Sequence, residues 1–386
     1  MIGPITATRI AVAIVVVAAV AILAAPLVLP AGNDSADESG ALNLSPSRTR
    51  YVTGWLPYWK AEAALASFTA NADLFTDVTT FFHYVTGPNA ALTYRAAPGE
   101  ADRAIAAAHD RGLPILAAVL DDTGPNTMRQ LLADPARRAA HIQQLLPLVD
   151  AQGYDGIDID YEYFAFSDGS GTWASTRPAW VAFISELGAA LADRDKYLTV
   201  AAPPQFNAAN DSTSGYWVYD WPGISPHIDS MRVMTYDYST SSLGPVAPLD
   251  WVERATAFGI ATFGGDRFRI GVPTYGRDWV VSKSGGGCGA VALSPNVTRP
   301  TEDFLAISAQ SGAPVQYNEQ YEEAYLKYTQ PQPGCSVNRE AFFSDARAVA
   351  AKAELALAND SGIALWSLGG EDPGMWDALR EARRGR

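Results

Sequence analysis

From residue 51 onward the chain alternates short apolar runs with longer stretches of helical periodicity. The apolar runs predict strands at 51–56, 78–84, 114–120, 154–162, 197–202, 230–236, 269–275 and 362–368. Amphipathic stretches at 100–111, 128–151, 179–191, 251–258 and 345–357 predict helices between them. Strands alternating with helices in this way predict an α/β fold, a closed (β/α)8 TIM barrel. The interval between the seventh and eighth strands is far longer than one helix needs. It predicts a small insertion at about 278–340, lying over the barrel mouth.

The pattern before residue 51 is different. Residues 10–29 carry no charge, and about twenty apolar residues suffice to span a bilayer. Arg9 precedes the run, and Asp34, Asp37 and Glu38 follow it, which orients the following chain outward. Residues 1–30 are therefore expected to be a signal-anchor or transmembrane segment, 31–50 a disordered linker, and 51–386 the catalytic barrel. The expected location is the cell membrane with an extracytoplasmic domain, or the exterior if the segment is cleaved.

Composition narrows the partners. The 386 residues carry a net charge of −14, which leaves no basic stripe for phosphates and excludes nucleic acid as the partner. The two cysteines, Cys288 and Cys335, suit an oxidising compartment, where a disulfide between them would stabilise by roughly 2–4 kcal/mol. The other reading of this pair is two buried free thiols. The ten tryptophans suit sugar stacking and a large core equally well.

The candidate chemistry lies in the fourth predicted strand, which reads DGIDIDYE over residues 155–162. From Ile157 onward apolar and acidic residues alternate, so Asp158, Asp160 and Glu162 should share one face, with Ile157, Ile159 and Tyr161 on the other. Three carboxylates crowded into an interior cannot all ionise at neutral pH, and a carboxyl that keeps its proton is what a general acid requires. The spacing lacks the polar spacers of a calcium loop, so no metal and no cofactor are expected. Chemistry in such a barrel sits at the C-terminal ends of the strands. Trp55, Tyr84, Asp121, Gln205, Met234, Tyr236, Asp237, Tyr275 and Trp366 are the other side chains at those ends.

With these residues in place the chain resembles glycoside hydrolase family 18, the chitinase-like family. Asp155, Asp158, Asp160 and Glu162 match the family's DxxDxDxE signature. Residues 52–59 resemble its first strand, Met234-Thr235-Tyr236-Asp237 its sixth-strand motif, residues 272–277 its seventh strand and residues 362–369 its eighth. The resemblance implies hydrolysis of β-1,4 bonds beside N-acetylglucosamine with retention, the substrate's own acetamido group serving as nucleophile. Carried onto this chain, it implies Glu162 as general acid and Asp160 as acceptor for the acetamido N–H. Asp158 would share a proton with Asp160, and Tyr236 would bind the acetamido oxygen. Trp366 would be the floor under the sugar, with Met234, Asp237, Trp55, Tyr275 and Arg277 as further substrate contacts. Asp155 and Gly156 are read as structural, Asp155 because its parity opposes that of the other three acids. The expected partner is an N-acetylglucosamine-containing glycan, either chitin, chitooligosaccharide or peptidoglycan, acted on by a monomer. Residues 341–370 resemble the cell-wall and spore-lytic branch more than secreted chitinases. The alternative is a membrane-tethered lectin that binds glycan without turnover.

Overall fold

Eight parallel strands close on themselves: β1 (Val52–Pro57), β2 (Val78–Thr86), β3 (Ile115–Asp122), β4 (Gly156–Asp160), β5 (Tyr197–Ala202), β6 (Ser230–Val233), β7 (Phe268–Pro273) and β8 (Gly362–Trp366). Each pairs with its chain neighbour, and β8 returns to β1 with Val52 opposite Ile363, so the barrel has no free edge within this ring. This is a computed structural model that describes residues 43–384 except 48 and 289–295. The expected segment at 1–30 lies outside the described residues, and among those described no helix is long and apolar enough to cross a membrane.

Alternation along the strands sorts side chains into two cores. Ile157, Ile159 and Tyr161 face the helical layer, where they join Phe164, Trp180 and Phe183 in the main apolar core. The barrel interior holds a second, smaller apolar cluster of Trp55, Phe81, Tyr84, Ala118, Ala201 and Ala364 together with polar side chains. Thr53, Asp77, Thr79, Asp158, Thr199 and Arg232 are all buried there. Arg232 reaches Asp77 at 2.6 Å and lies 3.5 Å from Asp158, while Thr53 donates to Asp77 at 2.6 Å. Buried charges of this kind persist only when paired and hydrogen-bonded. Gly156 is fixed by contact between strands, because a Cβ there would stand 2.5 Å from the Tyr197 carbonyl oxygen.

Several sequence expectations need correction. The fourth strand stops at Asp160, and Glu162 has left extended geometry, with φ −116° and ψ −23°, at the N-cap position of the short helix Tyr163–Phe166. The sixth strand ends at Val233, so Met234, Tyr236 and Asp237 lie on the loop beyond it. The single helix expected at 128–151 is three, Thr127–Ala133, Pro135–Leu145 and Pro147–Asp150. Pro135 and Pro147 lack the N–H that would continue each preceding helix, and Asp134 caps the second by accepting from the Ala136 and Arg137 amides. Within the expected 31–50 linker, Leu44 is buried and its carbonyl accepts from the buried Arg269.

Among the described residues, the insertion between β7 and β8 is a five-stranded antiparallel sheet with one helix, Thr301–Ser311. It begins with strand Tyr275–Ser284 and ends with strand Cys335–Phe343, wider at both ends than 278–340. Its small core is Phe304, Ala324, Leu326, Ala341 and Phe343. Cys288 and Cys335 are joined by a disulfide.

Candidate active site

Asp158 sits deepest, fully buried on β4, with both oxygens occupied. Oδ2 accepts from the Trp55 indole Nε1 at 2.8 Å and Oδ1 from the Thr199 hydroxyl at 2.5 Å. Asp160, one alternation further along β4, is also buried, and none of the described residues donates to its Oδ1. Its side-chain hydrogen bond is to Glu162, and Asp158 stands close enough for its charge to act on it.

Electrostatics follow from this packing. Burial raises Asp160 well above the usual carboxylate range, and the charges of Glu162 and Asp158 raise it further. Burial likewise raises Glu162. The hydrogen bond from Asp160 opposes that rise, while the charges of Asp237 and Asp121 reinforce it. Burial and mutual repulsion thus both favour retention of a proton by the pair, as for two close carboxyls that resist ionising together.

What holds Glu162 in place is aromatic. The Tyr161 carbonyl accepts from the Tyr219 hydroxyl at 2.8 Å, and the Tyr161 hydroxyl meets His141 Nε2 at 2.8 Å. Tyr219 is itself fixed by the Trp180 indole, which donates to its carbonyl at 2.9 Å. Trp180 and Trp221 are fully buried, and Trp173 and Trp217 pack edge-on beside Tyr216, so this cluster is scaffold and not a sugar platform.

Asp160 and Glu162 open onto a cleft of about 640 Å³, whose wall also includes Trp55, Met234, Tyr236, Asp237 and Trp366. The Tyr236 hydroxyl, strongly raised by burial, makes no hydrogen bond among the described residues. The Trp366 ring lies 4.5 Å from Phe81 and 5.8 Å from Trp55, half-exposed at the end of β8. Asp237 adopts a left-handed φ of 61°, a conformation Asp tolerates better than most residues. It is held there by the Tyr275 hydroxyl at 2.9 Å and by Arg277 at 2.7 Å. Trp55 is only 2 % exposed and its indole N–H serves Asp158, which makes it a positioning residue more than a substrate contact.

Other strand-end residues fall elsewhere. Gln205 is buried, receiving the Trp221 amide at 3.2 Å, and Tyr84 is covered by the Arg95 guanidinium. Asp121 is buried beside the site but does not line the cleft. Burial pushes it up to about 6, and its Oδ2 has no partner among the described residues. Asp155 faces away from the cleft, accepting from the Ile115 amide at 3.0 Å and meeting His109 at 2.8 Å. Sequence reasoning missed Phe81, on β2, Phe166 and Trp251, on helices, and Tyr216, Tyr238 and Thr240, on loops, as cleft walls. Among the described residues no cluster of His, Cys, Asp and Glu is arranged to hold a metal ion.

Residues 49–371 match the profile of Glycosyl hydrolases family 18. The putative sporulation-specific glycosylase YdhD of Bacillus subtilis is 26 % identical over 363 residues, covering 90 % of this chain and 79 % of that protein. The cortical fragment-lytic enzyme of Bacillus subtilis is 25 % identical over 256 residues, covering 66 % of this chain and 55 % of that protein. A crystal structure of a chitinase from Chromobacterium violaceum shares the fold with a TM-score of 0.72 at 23 % identity, covering 87 % of this chain and 99 % of that one. The chain belongs to glycoside hydrolase family 18 and is a glycosidase.

Proposed function

We propose that this family 18 glycosidase cleaves the β-1,4 bond on the reducing side of an N-acetylglucosamine unit, with retention, using the sugar's acetamido oxygen as nucleophile. The observation that carries the reading is the Asp160–Glu162 pair. It is a buried carboxyl with no donor to Oδ1 among the described residues, hydrogen-bonded to a second carboxyl that faces the cleft. A buried acceptor left unpaired is costly, and an acetamido N–H from the substrate supplies the missing donor.

The steps follow from the geometry. When the acetamido N–H donates to Asp160, the shared proton stays on Glu162, which delivers it to the glycosidic oxygen. The acetamido oxygen, polarised by the Tyr236 hydroxyl, attacks the anomeric carbon as the leaving sugar departs. The resulting oxazolinium ion carries positive charge beside Asp160, whose carboxylate stabilises it in a site largely shielded from water. Glu162, now ionised, takes a proton from the water that opens the ring and restores the original anomer. Trp366 forms the apolar floor under the reacting sugar, and Met234 and Asp237 bound its sides. Asp158 is held behind Asp160 by the Trp55 indole and the Thr199 hydroxyl.

The relatives named for sporulation and cortex lysis support bacterial wall glycan as substrate ahead of chitin. The apolar run at 10–29 and the disulfide support export to an oxidising side, with the barrel tethered at the membrane or secreted.

The test is turnover by the full chain on chitooligosaccharides and on purified peptidoglycan, with Glu162→Gln as control and product anomers read by NMR at early times. Initial release of the β-anomer, lost in the variant, is the expected result. An α-anomer or undiminished turnover by the variant would refute the scheme.

A further inference from the structure

A second hollow, of about 330 Å³, adjoins the cleft and shares Trp366 and Asp237 with it. Neither Asp160 nor Glu162 lines it. Its remaining wall comes from the segment after β1, which supplies Trp59 and Lys60, and from the inserted sheet, which supplies Arg277 and Arg299. In a chain of net charge −14, three cations against one carboxylate on a single wall run counter to the average surface.

Two of these cations have partners of their own. Lys60 meets Glu302 at 2.6 Å and Arg277 meets Asp237 at 2.7 Å. Arg299 differs. It donates through Nε to Asp278 at 3.1 Å, but Asp278 is buried and already matched by Arg339 at 2.7 Å, with the Tyr328 hydroxyl also donating to it at 2.7 Å. One carboxylate thus faces two guanidinium groups, and the charge of Arg299 is in excess. Its side chain is 28 % exposed, and its terminal nitrogens make no hydrogen bond among the described residues. Trp59 stands 52 % exposed over the same hollow, edge-on to Trp366 at 6.1 Å, and offers a sugar-stacking face.

We propose that this hollow is a subsite for a carboxylate-bearing sugar, one unit to the non-reducing side of the sugar over Trp366. The inference rests on the function proposed above. Glu162 protonates the bond toward the reducing end, so a hollow beyond Trp366 and without Glu162 in its wall receives the preceding unit. In a polymer of N-acetylglucosamine alone that unit is neutral and leaves the Arg299 charge unmet. In a glycan alternating N-acetylglucosamine with its 3-O-lactyl ether, that unit carries a carboxylate. The planar guanidinium of Arg299 suits it by charge-assisted, two-pronged hydrogen bonding. The substrate class assigned is therefore the alternating, acid-bearing glycan.

The experiment uses the full chain and glycan strands freed of stem peptides, with the lactyl carboxylates either native or converted to neutral methylamides. The expected result is a kcat/KM about tenfold higher on native strands, arising in KM and shrinking as salt is raised to about 0.5 M. Arg299→Gln should collapse that ratio to within about twofold, while Arg299→Lys retains part of it. Equal rates of the wild type on both strands would overturn the subsite, with the proposed function left standing. So would a ratio that survives in an Arg299→Gln variant of unchanged melting temperature. Release of no reducing ends from either strand or from chitooligosaccharides would instead overturn the function and the subsite together.

Discussion

The Trp55 indole Nε1 donates to Asp158 Oδ2 across the barrel interior at 2.8 Å, tying the first strand to the fourth beneath the proposed catalytic pair. The bond fixes the carboxylate against which Asp160 is raised, so a residue that barely reaches the cleft surface sets the charge of one that lines it.

Trp55→Phe removes that donor and leaves the Asp158 oxygen with only Arg232 at 3.5 Å. The expected cost is about 1–3 kcal/mol in urea unfolding, accompanied by a fall in kcat. A variant with wild-type stability and turnover would show that the bond has no such role.

Activity should decline as pH rises through the raised titration of Glu162, because the acid works in its protonated form. Asp237 is one of the charges that raise Glu162, so Asp237→Asn should move the alkaline limb of kcat/KM to lower pH. A limb that stays in place or moves upward contradicts the electrostatic assignment. Glu162→Gln should lose about 10²- to 10⁴-fold in rate, and the check is the same pH-resolved assay.

Asp121 offers a test of stability as well as rate. Its carboxyl is raised to about 6 chiefly by burial, so its contribution to stability is fully present below the unfolded titration, near pH 4, and is lost as pH rises through about 6. Asp121→Asn, which keeps an acceptor for the Thr123 amide and hydroxyl, should raise the melting temperature at pH 8 while changing it little at pH 4. A stability gain equal at both pH values would contradict the assignment.

Arg232→Met leaves Asp77 and Asp158 buried without their shared cation. Loss of one partner from a buried ion pair typically costs about 3–5 kcal/mol, measurable by chemical denaturation. A loss below about 1 kcal/mol would mean that the hydroxyl donors alone hold these acids.

Much of the molecule was legible in the sequence because it rests on periodicity. Ile157, Ile159 and Tyr161 alternate with Asp158 and Asp160, and that alternation alone assigned one set to the helical layer and the other to the interior. The eight apolar runs marked the eight barrel strands, with errors at their ends. Those errors have a local cause, since Met234, Tyr236 and Glu162 continue an apolar or acidic rhythm after the backbone has turned away.

What only the tertiary structure decided is which atoms face each other. The sequence determined that Asp158, Asp160 and Glu162 would crowd together, because their spacing on one chain segment fixes that. It could not determine what each of them meets, because the donors to Asp158 come from Trp55 and Thr199 on other strands. The meeting of Lys60 with Arg277 and Arg299 around one hollow was equally invisible, since more than two hundred positions separate Lys60 from the other two. Side-chain direction along a strand is a local property of the backbone. The charge a carboxyl carries depends on neighbours that only the closed barrel brings within reach.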